Sequence, residues 1–264
     1  MSATYRLTPS GTTRHNASAV EVKINHNVFC DKVVVTIEAT ATKKFPPFPR
    51  VGVRMRCADH LSSVEWFGRG PHECYPDRKS SALFGRFTST TREMHVPYIV
   101  PSENGGRSDV SWIALHSQSV NPASIMGHDR PHPAMTSISQ EGCVNSATAG
   151  LLVSMPHYSV AQVSAQHHAL EALCTASHTH ELEEMADAGD GSVHLHVDHL
   201  HMGIGGDDSW TPSVHPQFMI PSGDLWKWSF TLVPILATND GFVVHNSSQR
   251  TSHDAAHECK PRTQ

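Results

Sequence analysis

Short segments rich in β-branched and aromatic residues recur along the chain, and each is bounded by glycine, proline or asparagine. Val, Ile, Thr and aromatic side chains fit the pleated surface of a sheet, whereas Gly, Pro and Asn favour turns. Many short strands separated by turn signals are typical of an all-β sandwich or barrel. The sequence therefore predicts strands at 20–24, 33–38, 51–57, 63–67, 111–115, 151–154, 193–197, 217–220 and 226–234. The segments compatible with a short helix are 165–174 and 181–187.

Three parts of the chain carry weak structural signals. Low apolar content predicts a disordered start over residues 1–18 and a polar tail over residues 245–264. Residues 116–147 have no strand or helix pattern, and structureless segments of that length are uncommon inside a compact domain. We therefore expect an insertion loop at about 116–147 within a single β-sandwich domain that covers residues 19–244.

The composition limits the classes of partner. The chain has 20 Lys and Arg against 25 Asp and Glu, so its formal net charge is −5 with histidine neutral. Proteins that neutralise many phosphates or bind membranes through basic clusters need more Lys and Arg, so neither nucleic acid nor a membrane is an expected partner. No apolar run reaches the roughly 18 residues of a membrane span, and the start does not resemble a signal peptide. The six cysteines are scattered without a C-x-x-C pair, which favours reduced thiols and a cytoplasmic location.

The segment HLHVDHLHM at 194–202 has the alternation of a strand. Its polar residues fall on one face and its apolar residues on the other until the parity changes, which predicts a bulge near His199. His194 and His196 also have the spacing of two zinc ligands on one strand face. A third and a fourth ligand cannot be identified, and a solvated strand face explains the same pattern.

The segment GIGGDDSW at 203–210 combines a glycine-rich turn with two acids and an indole. Such a turn can cradle a phosphate, but the charges of Asp207 and Asp208 would repel an anion. Carboxylates accept hydrogen bonds from sugar hydroxyls, and the indole of Trp210 can cover the apolar C–H surface of a sugar ring. These residue types suit a neutral, hydroxyl-rich ligand. From these residues alone, an Asx turn beside a core tryptophan is an equal alternative.

Three longer stretches carry a resemblance to one protein family. They are VEWFGRGPHECYPDR at 64–78, VPYIVPSENGGRSDV at 96–110 and LHMGIGGDDSWTPSV at 200–214. In order and in content they closely resemble the C-terminal domain of large bacterial-type β-galactosidases of glycoside hydrolase family two, which in some members is a separate small chain. Weaker similarity runs from about 46 to 235. The resemblance implies a large antiparallel β supersandwich that is galactose-mutarotase-like in shape.

The chain departs from the family pattern in two respects. The segment at about 116–147 is longer than the connection in the family. The similarity also begins late in the domain, so the first strands are expected to be missing and the sandwich to be N-terminally incomplete. An incomplete sandwich exposes an unpaired strand edge, so pairing with another chain or a homo-oligomer is expected.

The resemblance also implies where catalysis resides. Retaining glycosidases use two carboxyl groups about 5 Å apart, and in the resembled enzymes these glutamates and a magnesium site lie in a (β/α)₈ barrel of about 250 residues. The sequence has no room for such a barrel. It is therefore expected to be inactive alone, with no catalytic residue, metal ligand or cofactor of its own and with magnesium on a barrel-bearing catalytic chain.

One residue is implied to reach the substrate. Trp210 matches the tryptophan that the family projects into the mouth of the active site. Five more residues stand in matching motifs, with roles that are mainly loop-shaping, and we include them as candidate substrate-site residues. They are Asp207, Asp208, His201, Glu103 and Asn104.

Three functions remain as alternatives. The first is a β-galactosidase small-chain-like component that binds a β-galactoside or related carbohydrate and completes a site on a larger partner, and the motifs favour it. The second is a stand-alone carbohydrate-binding or structural β-sandwich without catalysis. The third is an aldose 1-epimerase-like enzyme, which needs a general acid and a general base across a sugar pocket. A histidine with Glu103, Asp207 or Asp208 could supply that pair only if folding brings them together.

Overall fold

The structure is a computed structural model. It describes residues 1–7, 19–41, 45–117, 148–182, 191–211, 213–221, 225–238 and 241–244. In chain order the strands are β1 (Ser2–Leu7), β2 (Val20–Val28), β3 (Val33–Ala41), β4 (Arg50–Cys57), β5 (Ser63–Gly70), β6 (Leu83–Thr90), β7 (Arg107–Val110), β8 (Trp112–His116), β9 (Thr148–Ser154), β10 (Ala161–Gln166), β11 (Val193–His201), β12 (Leu225–Thr238) and β13 (Gly241–Val244). Short helices cover α1 (Thr91–Met94) and α2 (Leu170–Thr175), and a 3₁₀ turn covers Pro216–Phe218.

The strands form two antiparallel sheets. The large sheet has the order β1-β2-β3-β12-β9-β8-β5-β6, and β13 also pairs with β12. The small sheet has the order β4-β11-β10-β7. Among the described residues, β1 and β6 are the edges of the large sheet, and β4 and β7 are the edges of the small sheet.

The main core lies between the inner faces of the two sheets. The large sheet contributes buried side chains that include Ile37, Trp66 and Phe230, and the small sheet contributes Val163 and Leu195. Burial of each such side chain contributes about 1.5–3 kcal/mol relative to leaving it exposed. The prediction of an all-β antiparallel sandwich is therefore confirmed.

Most of the predicted strands are confirmed, namely those that correspond to β2, β3, β4, β5, β8, β9, β11 and β12. The predicted strand at 217–220 is wrong, because these residues follow Pro216 in a 3₁₀ turn and only Ile220 forms an isolated bridge. Proline lacks the N–H that a ladder needs. The predicted bulge near His199 is confirmed, since the pairing of β11 with β4 changes register between Asp198 and Leu200.

Two further predictions need correction. The disordered start is wrong for residues 2–7, which form β1 and pair along its length with β2. The predicted helix at 165–174 begins only at Leu170, because Ala165 and Gln166 end β10. The rest of the start, the residues from 118 to 147, those from 183 to 187 and the tail over 245–264 lie outside the described residues. In the part of the chain that the structure describes, no helix is long and apolar enough to cross a membrane.

Candidate functional site

The loop that follows β11, here called the tryptophan loop (residues 203–211), has a base fixed by backbone hydrogen bonds. The amide of Gly203 donates to the carbonyl of Phe218 (2.9 Å), and the amide of Gly205 donates to Oδ2 of Asp77 (2.8 Å). Gly205 has a φ angle of +66°, a conformation that residues with a side chain rarely adopt. The loop therefore turns sharply while staying attached to the body of the sandwich.

The tip of the tryptophan loop is an Asx-type turn. Oδ1 of Asp208 accepts hydrogen bonds from the backbone N–H groups of Thr211 (2.8 Å) and Trp210 (2.7 Å). These bonds favour the ionised carboxylate, so the pKa of Asp208 is lowered. Asp207 pairs instead with His215 (2.6 Å), and both side chains are more than half exposed. The side chain of Trp210 is 90% exposed, so the alternative of a core tryptophan is wrong.

Two of the other predicted residues meet at the first residue of β4. The guanidinium of Arg50 contacts the carboxylate of Glu103, and its Nη2 is 3.1 Å from Nε2 of His201. Its Nη1 is 2.6 Å from Nδ1 of His196. The hydroxyl of Tyr75 donates to Oε1 of Glu103 (3.4 Å). These five residues are here called the Arg50 cluster.

The surroundings in the Arg50 cluster shift the pKa values of Glu103, His196 and Tyr75. Burial raises the pKa of Glu103, but the hydrogen bond with His201 and the charge of Arg50 outweigh it, so the pKa lies below its usual range. Burial, followed by the charge of Arg50, lowers the pKa of His196 to about 4. Burial also raises the pKa of Tyr75, helped by the charge of Glu103. At neutral pH the cluster therefore contains an ionised Glu103, a neutral imidazole at His196 and a neutral phenol at Tyr75.

The contacts within the Arg50 cluster favour a structural role. Glu103 and His201 lie 3.7 Å apart, which is the kind of acid and base pair that ring opening of an aldose requires. However, Glu103 is bound to Arg50, and Nδ1 of His201 lies 2.6 Å from the carbonyl oxygen of Met202. These contacts hold the end of β11, and with it the start of the tryptophan loop.

Asn104 is buried, and its side chain forms hydrogen bonds with nearby backbone groups. Its Oδ1 accepts from the amide of Val96 (3.1 Å), and its Nδ2 donates to the carbonyl of Ser102 (2.9 Å). Its own carbonyl accepts from Nε2 of Gln166 on β10 (3.1 Å). With 1% of its surface exposed, Asn104 shapes the connection that covers the small sheet, and the structure does not bring it to the tryptophan loop.

The polar face of β11 differs from its predicted environment. His196 and Asp198 are 5% and 2% exposed, so the interpretation of a solvated strand face is wrong for these two residues. His196 faces a guanidinium, which is an unfavourable neighbour for a metal cation. Among the described residues no group of three or more His, Cys, Asp or Glu side chains could hold a metal ion.

Three residues of the site were missed by reasoning from the sequence. Tyr75 and Asp77 stand in the first of the three motifs that resemble the family. Asp77 anchors the tryptophan loop through Oδ2. Its Oδ1 is buried without a hydrogen-bond partner among the described residues. Their place in that motif was a usable signal. No sequence signal pointed to Arg50, because its alternation with Gly52 and Arg54 places its side chain on the same face of β4 as Arg54 but does not show what that face contacts.

Asp198 and His196 oppose each other in the pH dependence of stability. Burial raises the pKa of Asp198 to about 6, above the value of about 3.9 in an unfolded chain, so its contribution to stability is lost as the pH rises from about 4 to 6. The pKa of His196 is lowered to about 4, below the unfolded value of about 6.5, so its contribution to stability is lost as the pH falls from about 6.5 to about 4.

We expect Asp198→Asn to raise the free energy of unfolding at pH 7 and to leave it unchanged near pH 4. A shift of roughly two pKa units corresponds to an upper limit of about 3 kcal/mol. Chemical denaturation between pH 4 and pH 7.5 measures the difference, and Asp59→Asn, at an exposed carboxylate, is the matched control. A loss of stability at pH 7 would show that Arg50 favours the ionised carboxylate more than burial disfavours it.

Comparison with known proteins adds a family relationship to this geometry. A family model described as beta galactosidase small chain matches residues 2–232. The chain is similar to the beta-galactosidase of Vibrio cholerae, with 36% identity over 205 residues, which cover 77% of this chain and 16% of the relative. It is also similar to a beta-galactosidase of Klebsiella pneumoniae, with 35% identity over 201 residues, which cover 75% of this chain and 15% of the relative. The matched region thus spans about a sixth of the length of these curated relatives.

Proposed function

The chain belongs to the beta-galactosidase small chain family, and from this membership we propose that it acts as a small-chain-like component of a β-galactosidase. It completes the substrate site of a glycoside hydrolase whose catalytic carboxylates and magnesium are on another chain. The substrate is a β-galactoside or a related carbohydrate, and the assembly works in the cytoplasm. The observation that carries the proposal is the exposed indole of Trp210 on an anchored loop.

The tryptophan loop has the properties of a substrate contact. An indole face offers apolar surface to a sugar ring or to an aryl aglycone. Because the loop is tied to Asp77 at its base and closed by Asp208 at its tip, the backbone that carries the indole is held in place. The exposed carboxylate of Asp207 on the same loop can accept hydrogen bonds from sugar hydroxyls.

A second surface supports a large partner. The residues Tyr98, Ile99 and Val100 are consecutive, apolar and 36%, 86% and 64% exposed. Contiguous exposed apolar side chains mark sites of protein interaction. Because the matched region is only 14–16% of the length of the similar beta-galactosidases, most of each relative lies outside the region that this chain resembles.

The proposal is tested with the chain alone and with the assembly recovered from its source cells through a tag on this chain. We expect no release of nitrophenol from 2-nitrophenyl β-D-galactoside by the purified chain, and turnover by the assembly. Trp210→Ala should then lower kcat/KM of the assembly by roughly five- to 150-fold, since the lost indole contact is worth on the order of 1–3 kcal/mol.

Tyr158→Ala is the matched control, because Tyr158 is an aromatic residue that is 95% exposed outside the tryptophan loop. It should leave the kinetics unchanged. Turnover by the chain alone would place catalytic carboxylates within it and contradict the proposal. An assembly without turnover, or one in which Trp210→Ala has the kinetics of the parent, would contradict it as well.

A further inference from the structure

A cleft lies on the outer face of the small sheet, between β4, β11 and α2. Its volume is about 240 Å³. The buried side chains of His196 and Asp198 line it from β11, and the guanidiniums of Arg50 and Arg54 line it from β4. Glu171 lines it from α2 and pairs with Arg54 (2.6 Å). The tryptophan loop takes no part in this cleft.

The backbone of β4 leaves room for a carboxylate in the cleft. Gly52 pairs with Asp198 across the two strands, and a Cβ at position 52 would overlap the side chain of Asp198. Nη1 of Arg50 lies 3.6 Å from Oδ2 of Asp198, a distance longer than a hydrogen bond. Asp198 therefore lines the cleft as a buried acceptor whose ion pair is loose.

The charges around the cleft balance. Arg50 and Arg54 are positive, Glu171 is negative, and Asp198 is largely ionised above its pKa of about 6. His196 is neutral, since its pKa is about 4. The side chains that line the cleft therefore sum to zero at neutral pH. A phosphate or another anion would meet two carboxylates as well as the two guanidiniums, so no net positive charge attracts it and a neutral ligand is favoured.

The donors and acceptors of the cleft match a polyol. Each guanidinium has five N–H donors, which is more than Arg50 uses on Glu103, His196 and His201 or Arg54 uses on Glu171, so both can also donate to hydroxyl oxygens. The carboxylate of Asp198 accepts from hydroxyl groups. Leu170 and Val53 contribute apolar lining to the cleft, which can contact the C–H surface of a sugar ring. The volume is below the range of about 300–1,000 Å³ for drug-sized ligands, so a single sugar ring is the size that fits.

From this combination we propose that the cleft between β4, β11 and α2 is a binding site for one neutral hexose ring, held by Arg50, Arg54 and Asp198. The site belongs to this chain alone and does not depend on assembly with a catalytic partner. It takes either a free monosaccharide or the non-reducing terminal ring of an oligosaccharide, because that ring keeps every hydroxyl group of the free sugar except the anomeric one.

The test is titration of the 264-residue chain at pH 7.5 with D-galactose, D-glucose or lactose. Saturation-transfer NMR measures the binding. We expect saturable binding of at least one of these sugars. Asp198→Asn should weaken it about tenfold or more, as expected for loss of a hydrogen bond to a charged group. Leu170→Trp, which fills the cleft from α2, should abolish it. If lactose binds through one ring only, the second ring should receive little saturation.

Two variants serve as controls, and circular dichroism checks that each variant is folded. Leu225→Trp makes the same substitution at an exposed position of β12 and should bind like the parent. Trp210→Ala should keep the part of the binding that Asp198→Asn weakens, because Trp210 does not line the cleft. Absence of saturable binding, displacement of the sugar by inorganic phosphate, or unchanged binding in Leu170→Trp would overturn the inference. Loss of binding in Trp210→Ala alone would place the sugar on the tryptophan loop instead, and would leave the proposed function intact.

Discussion

Replacing Arg86 by methionine is expected to lower the free energy of unfolding by about 3 kcal/mol at pH 8, since the substitution leaves a buried carboxylate without its countercharge. Glu65 lies in the middle of β5 with no exposed surface, and Arg86 of the neighbouring strand β6 contacts its Oε1. Its Oε2 has no hydrogen-bond partner among the described residues. Removal of one partner from a buried pair costs about 3–5 kcal/mol, and the partial exposure of Arg86 (38%) places this pair at the lower end.

The pH dependence of the Arg86→Met variant identifies the cause. Burial raises the pKa of Glu65, and Arg86 opposes that rise, so the pKa should climb further in the variant. A carboxyl whose folded pKa exceeds its unfolded value loses its contribution as the pH rises. The destabilisation should therefore be small at pH 5 and full at pH 8, as measured by urea denaturation at the two pH values.

Two variants separate this effect from a general loss of packing. The double variant Glu65→Leu with Arg86→Met removes both charges and should recover most of the stability, because an apolar pair of similar volume is often neutral or better. Arg92→Met removes an exposed arginine of α1 and should have little effect. Equal losses in the single and the double variant would show that the ion pair is not the source.

Trp66→Ala is expected to cost about 3–5 kcal/mol of stability, the usual range for a buried tryptophan. Trp66 is 1% exposed in the main core, and its ring lies 5.5 Å from the ring of Phe87. The guanidinium of Arg107 lies 5.1 Å from the ring centroid, and Nε1 donates to the carbonyl of Arg69 (3.0 Å). The substitution removes all of these contacts and leaves a cavity between the sheets.

The matched comparison is Trp210→Ala, which makes the same change at an exposed indole. Surface substitutions usually change the free energy of unfolding by no more than about 0.5 kcal/mol. The two variants should therefore differ clearly in stability in one denaturation experiment. A similar loss in both variants would mean that the indole of Trp210 packs against the sandwich. That result would remove the observation on which the substrate role rests.

The strands that could be predicted are those whose composition matches their environment. β3 (VVVTIEATA) and β12 (LWKWSFTLVPILAT) carry the β-branched and aromatic residues of a sheet with a buried face. β10 (AQVSAQ) was missed because its outward Gln and Ser side chains are buried under the connections on the outer face of the small sheet. Its Gln162, for example, donates to the carbonyl of Cys74 (2.8 Å). Polar residues in a buried strand resemble a loop or a helix when only their sequence is read.

The candidate site was predictable to the extent that it is local. The glycines, the Asx turn and Trp210 lie within nine residues, so their arrangement follows from turn chemistry. The Arg50 cluster joins residues that are up to 151 positions apart, as in the contact of Arg50 with His201. No periodicity in a single sequence reports such a contact, and only the pairing of β4 with β11 brings the two side chains together.

The register shift in β11 has a consequence for how relatives of this chain are aligned. Before the shift Asp198 pairs with Gly52, and after it Leu200 pairs with Val51 and His201 with Arg50, so His199 is the extra residue. This one residue changes the parity of the strand and turns His201 to the side that carries Arg50. The number of residues between Asp198 and His201 therefore matters as much as their identity. A one-residue alignment gap placed there would align side chains that point to opposite sides of the sheet.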